Sequence, residues 1–307
     1  MSESAPNTAD LPPLLVIVGP TASGKTELAL ELCERLNGEI VSADSVQVYR
    51  YFDRGTGKPS TEERARAPHH LLDIVEPTEA MDAARWAELS QATVERLWAR
   101  GKRPVVCGGS FLWVRALLYG LAPAPPASAE LRREHQETAA REGRARLHQE
   151  LARVDPQAAA RLAPNDLMRV SRALEVHALT GVPLSQWQAE HGFRTPRYAA
   201  RLLGVERSRD ELDQRIRARV EQMLRSGWVD EVEALRARGF AETRAMGSVG
   251  YRQISEALAA GSALDQATLV DSITRATRVF ARRQRTWLRE EAVEYVDPHG
   301  RNVRIED

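Results

Sequence analysis

Eight consecutive residues, Gly19, Pro20, Thr21, Ala22, Ser23, Gly24, Lys25 and Thr26, have the spacing Gly-x-x-x-x-Gly-Lys-Thr. They sit between an apolar run (residues 14–18) and a helical pattern that opens at Lys25 and continues through Leu28, Leu32 and Leu36. A glycine-rich turn placed between a strand and a helix points its backbone amides at phosphate oxygens. Lys25 adds a point charge there, and Thr26 adds a hydroxyl suited to Mg²⁺. The motif alone leaves open which phosphate compound it holds, and whether that compound is hydrolysed, transferred or displaced.

Asp44 opens the stretch DSVQVY at the end of a second short strand, residues 39–43. A carboxylate there either holds Mg²⁺ through water or takes a proton from an incoming nucleophile. A later strand, residues 104–107, ends in Gly108-Gly109-Ser110 and lacks the aspartate that many phosphate-loop enzymes carry at that position. Two glycines ahead of a hydroxyl allow a ligand to approach the backbone closely, with Ser110 as a plain helix cap in the alternative reading. Arg215 and Arg219 are spaced i, i+4 and share one helix face, where they can clamp a pyrophosphate or an RNA backbone, or pair with Glu211 or Glu221. Adjacent His69 and His70 on a strand point to opposite faces and read as structural.

Residues 275–289 contain six arginines (275, 278, 282, 283, 285 and 289) and no acid. Their helical periodicity runs through Ile273, Val279, Phe280 and Leu288, which reads as a basic face able to meet a polyanion. The chain uses lysine only three times, so arginine by itself carries less weight here.

The elements that must position these groups alternate strand and helix at first: a strand at 69–75, a helix at about 81–100, then the strand at 104–107. This pattern predicts an α/β fold with a parallel sheet whose ligands sit at the carboxyl ends of the strands. A proline-rich break at 121–128 begins a helical stretch, which turns at Val154-Asp155-Pro156, restarts at Asn165-Asp166 and stops at Gly181. The sheet resumes at 198–206, and helices follow from Ser208. The expected organisation is a disordered start (1–13), a core (14–121), an all-helical insertion (122–195) and a second core part (196–307).

The 307 residues are 43% hydrophobic and 28% charged with zero net charge, as in a soluble globular chain. No apolar run approaches the roughly 20 residues that span a bilayer. No targeting signal opens the chain, so the expected location is the cytoplasm. Two cysteines, Cys33 and Cys107, each within apolar sequence, support neither a disulfide framework nor a zinc site and are expected to be buried thiols. The expected oligomeric state is a monomer.

GPTASGKT, ADSVQVYR, GTGKP (55–59), HHLLDI (69–74), VVCGGSFLW, RVSRALEV (169–176), VGYRQ (249–253) and ARRQRTWLR (281–289) occur in this order. Together they resemble the bacterial tRNA dimethylallyltransferase family over about residues 14–290. The resemblance implies a phosphate-loop core with a helical insertion, Mg²⁺ held through Thr26, and dimethylallyl pyrophosphate on residues 19–26. It further implies transfer of the dimethylallyl group to the exocyclic amine of the adenosine at tRNA position 37, without ATP hydrolysis. By resemblance, Asp44, Ser110, Lys25 and Arg219 are catalytic. The tRNA-facing residues it implies are Asp44, Ser45, Val46, Gln47, Ser110 and Arg132, then Met168, Arg169, Val170, Ser171 and Arg172. Also implied are Gly247, Ser248, Val249, Gly250, Tyr251 and Arg252, followed by Arg282, Arg283, Gln284, Arg285, Thr286, Trp287, Leu288 and Arg289.

Four positions depart from the family pattern. Ser110 replaces threonine, Trp113 tyrosine, Tyr51-Phe52 a glycine and a methionine, and Gly247 a common arginine. Three other readings stay beside this one: a small-molecule kinase, a phosphate-gated RNA-binding module, and prenylation of free adenine nucleotides. The kinase predicts ATP turnover, and the binding module predicts tRNA affinity that survives Asp44→Ala. A mononucleotide needs neither the insertion nor the basic helix.

Overall fold

The computed structural model describes residues 11–261, 265–297 and 303. Its six strands are β1 (Pro13–Val18), β2 (Gly38–Ala43), β3 (His69–His70), β4 (Arg103–Gly108), β5 (Ala199–Val205) and β6 (Val293–Val296). They form one sheet in the order β3-β2-β4-β1-β5-β6, and every pair is parallel. Nearly every residue of β1, β2 and β4 is buried, as the continuous apolar sequence of strands covered on both faces requires.

Helices α1 (Lys25–Leu36), α2 (Thr61–Arg66), α3 (Ala83–Ala99) and α4 (Phe111–Tyr119) follow these strands. Leu28, Leu32 and Cys33 of α1 pack with Leu15, Ile17 and Val105 of the sheet. Asp82 caps α3 by accepting from the Arg85 amide. That helix buries Trp86, whose indole N–H donates to the Ser42 carbonyl at 3.1 Å and whose ring stacks on Trp113 of α4 at 5.3 Å. Its one polar atom is therefore satisfied inside the core.

The chain divides into two compact units, and Tyr119–Thr195 makes up the second. This unit contains α5 (Ala129–Glu142), α6 (Arg144–Val154), α7 (Pro156–Arg161), α8 (Leu167–Thr180) and α9 (Leu184–His191). Its core joins Leu147, Leu151, Ala158, Val170, Ala173 and Leu174. Buried Asp155 caps α7 through Oδ1 on the Ala158 amide, and its Oδ2 accepts from the Ser185 amide, both at 2.9 Å. On the sheet side, the Arg197 amide donates to the Leu118 carbonyl at 2.7 Å, so the strand-bearing chain is closed where the helical stretch leaves and returns. The first unit then adds α10 (Arg209–Arg225), α11 (Trp228–Ala237), α12 (Tyr251–Ala259) and α13 (Gln266–Leu288).

Three expectations need correction. The strand expected at 69–75 ends at His70, because Leu71 and Asp73 take positive φ (63° and 55°) and turn the chain out of the sheet. Most of the disordered start falls on residues 1–10, outside the described residues, but Pro13 is already in β1 and the Pro12 carbonyl accepts from Ala199. Val279 and Phe280 lie 38% and 42% exposed rather than on the packed face of α13, which is built by Ile273, Thr274, Ala281, Gln284 and Leu288. His69 and His70 are structural, bonding the Ala67 carbonyl and the Glu39 carboxylate. Both cysteines are buried and free, and burial pushes the thiols of Cys33 and Cys107 up to about 12 and about 11. No helix among the described residues is long and apolar enough to cross a membrane.

Candidate active site

The loops leaving β1, β2 and β4 meet at the carboxyl edge of the sheet, where the order of these neighbouring strands juxtaposes them. After β1, residues 19–26 wrap into a tight loop: the Ser23 amide donates to the Pro20 carbonyl at 3.2 Å, and the Lys25 ammonium donates to the same carbonyl at 3.3 Å. Gly24, at φ 100°, opens α1 without a side-chain cap, so the first amides of the helix remain available to an anion. The loop is braced from outside as well. Arg215 donates to the Ala22 carbonyl at 2.8 Å and Arg207 to the Ser23 carbonyl at 3.1 Å.

Asp44 follows β2, with its Oδ1 fixed by the amides of Val46 (2.9 Å) and Gln47 (3.2 Å). Its Oδ2 has no hydrogen-bond partner among the described residues. Next to it, the Ser45 amide donates to the Ser110 hydroxyl at 2.9 Å and the Ser110 amide to the Ala43 carbonyl at 3.1 Å. The Ser110 hydroxyl thus holds the Asp44 turn instead of capping α4. Gln47 donates to the carbonyls of Thr56 and Gly57, at 3.2 and 3.1 Å, and so ties this turn to the GTGKP loop.

Gly57 carries Arg219 against it, because a β-carbon there would lie 1.9 Å from a guanidinium nitrogen. Arg219 is half-buried and makes no hydrogen bond or ion pair with any described residue. Burial pulls its pKa down, while Asp44 pulls the other way. Burial likewise lowers Lys25, opposed by Cys107 and Asp44, with Arg219 adding to the depression. Two desolvated cations without a carboxylate partner, one uncapped helix start and one free carboxylate oxygen therefore share a small space. Such a site favours an anion of high charge beside a group that must lose a proton.

The Thr26 hydroxyl, in the first turn of α1, has no partner among the described residues. No cluster of three or more histidine, cysteine, aspartate or glutamate side chains that could hold a metal occurs among them either. A divalent ion here would depend on one hydroxyl, phosphate oxygens and water, the donor set that suits Mg²⁺.

The remaining expected residues separate by burial. Val170, Ser171, Tyr251, Gln284 and Leu288 have buried side chains. Tyr251 donates to Glu231 at 2.6 Å and accepts from the Gly55 amide at 3.1 Å. Gly55 and Gly250 both face the Trp228 indole, and a β-carbon on either would lie within 2.0 Å of that ring. Trp287 stacks on Phe111 at 4.4 Å and lies under Arg115. In the helical unit, Arg132 and Arg172 both bind the buried Glu175 carboxylate, Arg169 pairs with Asp166, and Met168 is 73% exposed.

Gly247 and Ser248 are in the turn before α12, where the Ser248 hydroxyl donates to Ala245, and Arg252 projects from its first turn. Arg282, Arg283 and Thr286 on α13 are exposed, as is Arg289 at its C-cap. Arg282, Arg283, Arg285 and Arg289 form no ion pair among the described residues. Sequence reading missed Arg207 and the bracing roles of Arg215 and Gln284, whose partners lie far away along the chain. It also missed Glu175, the lone acid of α8, and Glu231, which lies among Asp230 and Glu233 on α11.

The sequence model of the IPP transferase family matches residues 47–291. The chain is 62% identical over 283 residues to a tRNA dimethylallyltransferase of Sorangium cellulosum, covering 92% of this chain and 90% of that one. It is 47% identical over 278 residues to tRNA dimethylallyltransferase 1 of Pelobacter propionicus, covering 90% and 89%. Among solved structures, the full-length tRNA isopentenylpyrophosphate transferase of Bacillus halodurans superposes with TM-score 0.67 at 36% identity, over 93% of this chain and 89% of that one. A eukaryotic dimethylallyltransferase acting on tRNA superposes with TM-score 0.78 at 25% identity, over 94% and 74%. The fold, the phosphate loop facing a free carboxylate oxygen, and similarity along nearly the whole length converge on one conclusion: the chain belongs to the IPP transferase family.

Proposed function

We propose that the chain transfers a dimethylallyl group from dimethylallyl pyrophosphate to the exocyclic amine of adenosine 37 in the anticodon loop of tRNA. The observation that supports this most is the convergence of Lys25 and Arg219, both lacking an anionic partner, beside the free Oδ2 of Asp44. The pyrophosphate lies on residues 19–26, its charge met by loop amides, the α1 N-terminus, Lys25 and Arg219. Mg²⁺ at Thr26, when bound, adds Lewis-acid stabilisation of the leaving pyrophosphate.

The adenine amine is a weak nucleophile because its lone pair is shared with the ring. It forms the new C–N bond to the allylic carbon as the C–O bond to pyrophosphate breaks and that electron pair leaves with the phosphate oxygen. Asp44 takes the amine proton through Oδ2, while the amides of Val46 and Gln47 keep the carboxylate aimed. Unstacking the base costs a few kcal/mol and is cheapest in an already single-stranded loop. The free arginines of α13 supply a phosphate-backbone contact. The enzyme works as a monomer in the cytoplasm.

Purified protein, unmodified tRNA, Mg²⁺ and radiolabelled dimethylallyl pyrophosphate test this directly, with AMP and ATP in parallel reactions. Label at a single adenosine beside the anticodon is expected. Label in AMP alone would mean a nucleotide prenylase, and ATP turnover without any label transfer would mean a kinase.

A further inference from the structure

Gln284 lies in the middle of the arginine run on α13, yet its side chain is buried, 6% exposed, and points into the site. Its Oε1 accepts from the Thr21 amide in the phosphate loop, and its Nε2 donates to the Gly109 carbonyl in the turn after β4, each at 2.9 Å. A carboxamide carries one acceptor oxygen and one donor nitrogen, so only this orientation satisfies both partners. The fit is close: a β-carbon at Gly109 would lie 2.4 Å from the Gln284 nitrogen. One helical turn earlier, Ala281 packs with Ala22 of the phosphate loop and with Leu212 and Ile216 of α10, so α13 grips the loop at two successive turns.

Gly109 precedes Ser110, whose hydroxyl holds the Ser45 amide next to Asp44. A hydrogen-bonded path therefore runs from the phosphate loop through Gln284 to the turn that carries the proton acceptor. We propose that Gln284 is a positioning residue for group transfer, setting the separation between the pyrophosphate cradle and Asp44 rather than reading RNA. This rests on the reading of the site given under Proposed function. In-line displacement needs the leaving oxygen, the allylic carbon and the amine in one line, and an error of about 1 Å in such geometry lowers rate by roughly 10²-fold.

The test compares the wild-type protein with Gln284→Met, which keeps the length but removes both hydrogen bonds. Gln284→Asn, one methylene too short to span both partners, is the second variant should the methionine protein fail to fold. Three quantities are read: the Kd for inorganic pyrophosphate without RNA, the Kd for tRNA, and kcat with KM for dimethylallyl pyrophosphate. Gln284→Met is expected to weaken pyrophosphate about tenfold and lower kcat roughly 10²-fold, with the tRNA Kd within about twofold of wild type. Gln284→Asn is expected to move the same quantities in the same direction by less.

A tRNA Kd raised tenfold with pyrophosphate affinity unchanged would overturn the proposal and make Gln284 an RNA contact. Equal losses in all three quantities together with a lowered Tm would overturn it in favour of a general structural role, and so would no change in any of them. The pyrophosphate measurement uses no RNA. Absence of tRNA prenylation by the wild-type protein would therefore count against the proposed function, while the Gln284 comparison would still be read.

Discussion

Two groups of arginines, both expected from sequence to face RNA, are in opposite electrostatic states. In the helical unit, Arg132 and Arg172 converge on Glu175, which is fully buried and also accepts from the Ser128 amide at 3.1 Å, and Arg169 is paired with Asp166. Arg282, Arg283 and Arg285 on α13, and Arg289 at its C-cap, have no acid within pairing distance among the described residues. The difference lies in what stands opposite each guanidinium. A carboxylate buried without partners is costly, so Arg132 and Arg172 serve the fold first. An exposed cation without a partner costs the fold little and remains available to phosphates.

The largest expected effect comes from a residue in neither group. Asp44→Asn should lower turnover by roughly 10² to 10⁴-fold, with tRNA affinity and Tm nearly unchanged. Single-turnover kinetics at saturating tRNA checks this, and unchanged turnover would remove Asp44 as the proton acceptor. Arg172→Ala leaves Glu175 with Arg132 alone and should cost about 3 kcal/mol of stability, measured by urea unfolding. A stable Arg172→Ala protein with weakened tRNA binding would erase the distinction between the two groups.

Arg282→Ala should do the reverse. Stability should stay within about 0.5 kcal/mol, while the slope of log affinity against log salt flattens by about 0.9 for a lost phosphate contact. An unchanged slope would place Arg282 away from the RNA backbone. The smallest effect is expected at the two thiols. Burial holds Cys33 and Cys107 protonated, at about 12 and about 11, so at pH 8 the folded protein should take up no iodoacetamide and keep full activity.

How much of this could be read from sequence follows the distance over which each interaction acts. The phosphate loop, the Asp44 turn and the Gly108-Gly109-Ser110 turn are set by neighbouring residues, and their spacing disclosed them. The caps at Asp166 and Ser208 and the stop at Gly181 were legible for the same reason. Gln284 was not, since its partners lie 263 and 175 residues away and its neighbours on α13 are arginines. Residues Val279 and Phe280 misled because helical spacing favours apolar residues for the packed face, whereas α13 packs through Thr274, Ala281 and Gln284. β6 was missed because its four residues pair only with β5 at the edge of the sheet. Glu175 shows the same limit: Arg172 is its i, i+3 neighbour on α8, but Arg132 reaches it from α5, 43 residues earlier.

The hydrogen bond between Arg197 and Leu118 has an evolutionary consequence. Because the chain returns to the sheet where it left, the βαβ crossover from β4 through α4 to β5 is topologically complete without the residues between. Loop length then affects closure only weakly, by about 0.6 kcal/mol for each doubling. A segment inserted at such a point can lengthen, shorten or change sequence while the pairing of β1 with β4 and β5 keeps its register. Selection can therefore act on the helical cassette and on the sheet at different rates within one gene.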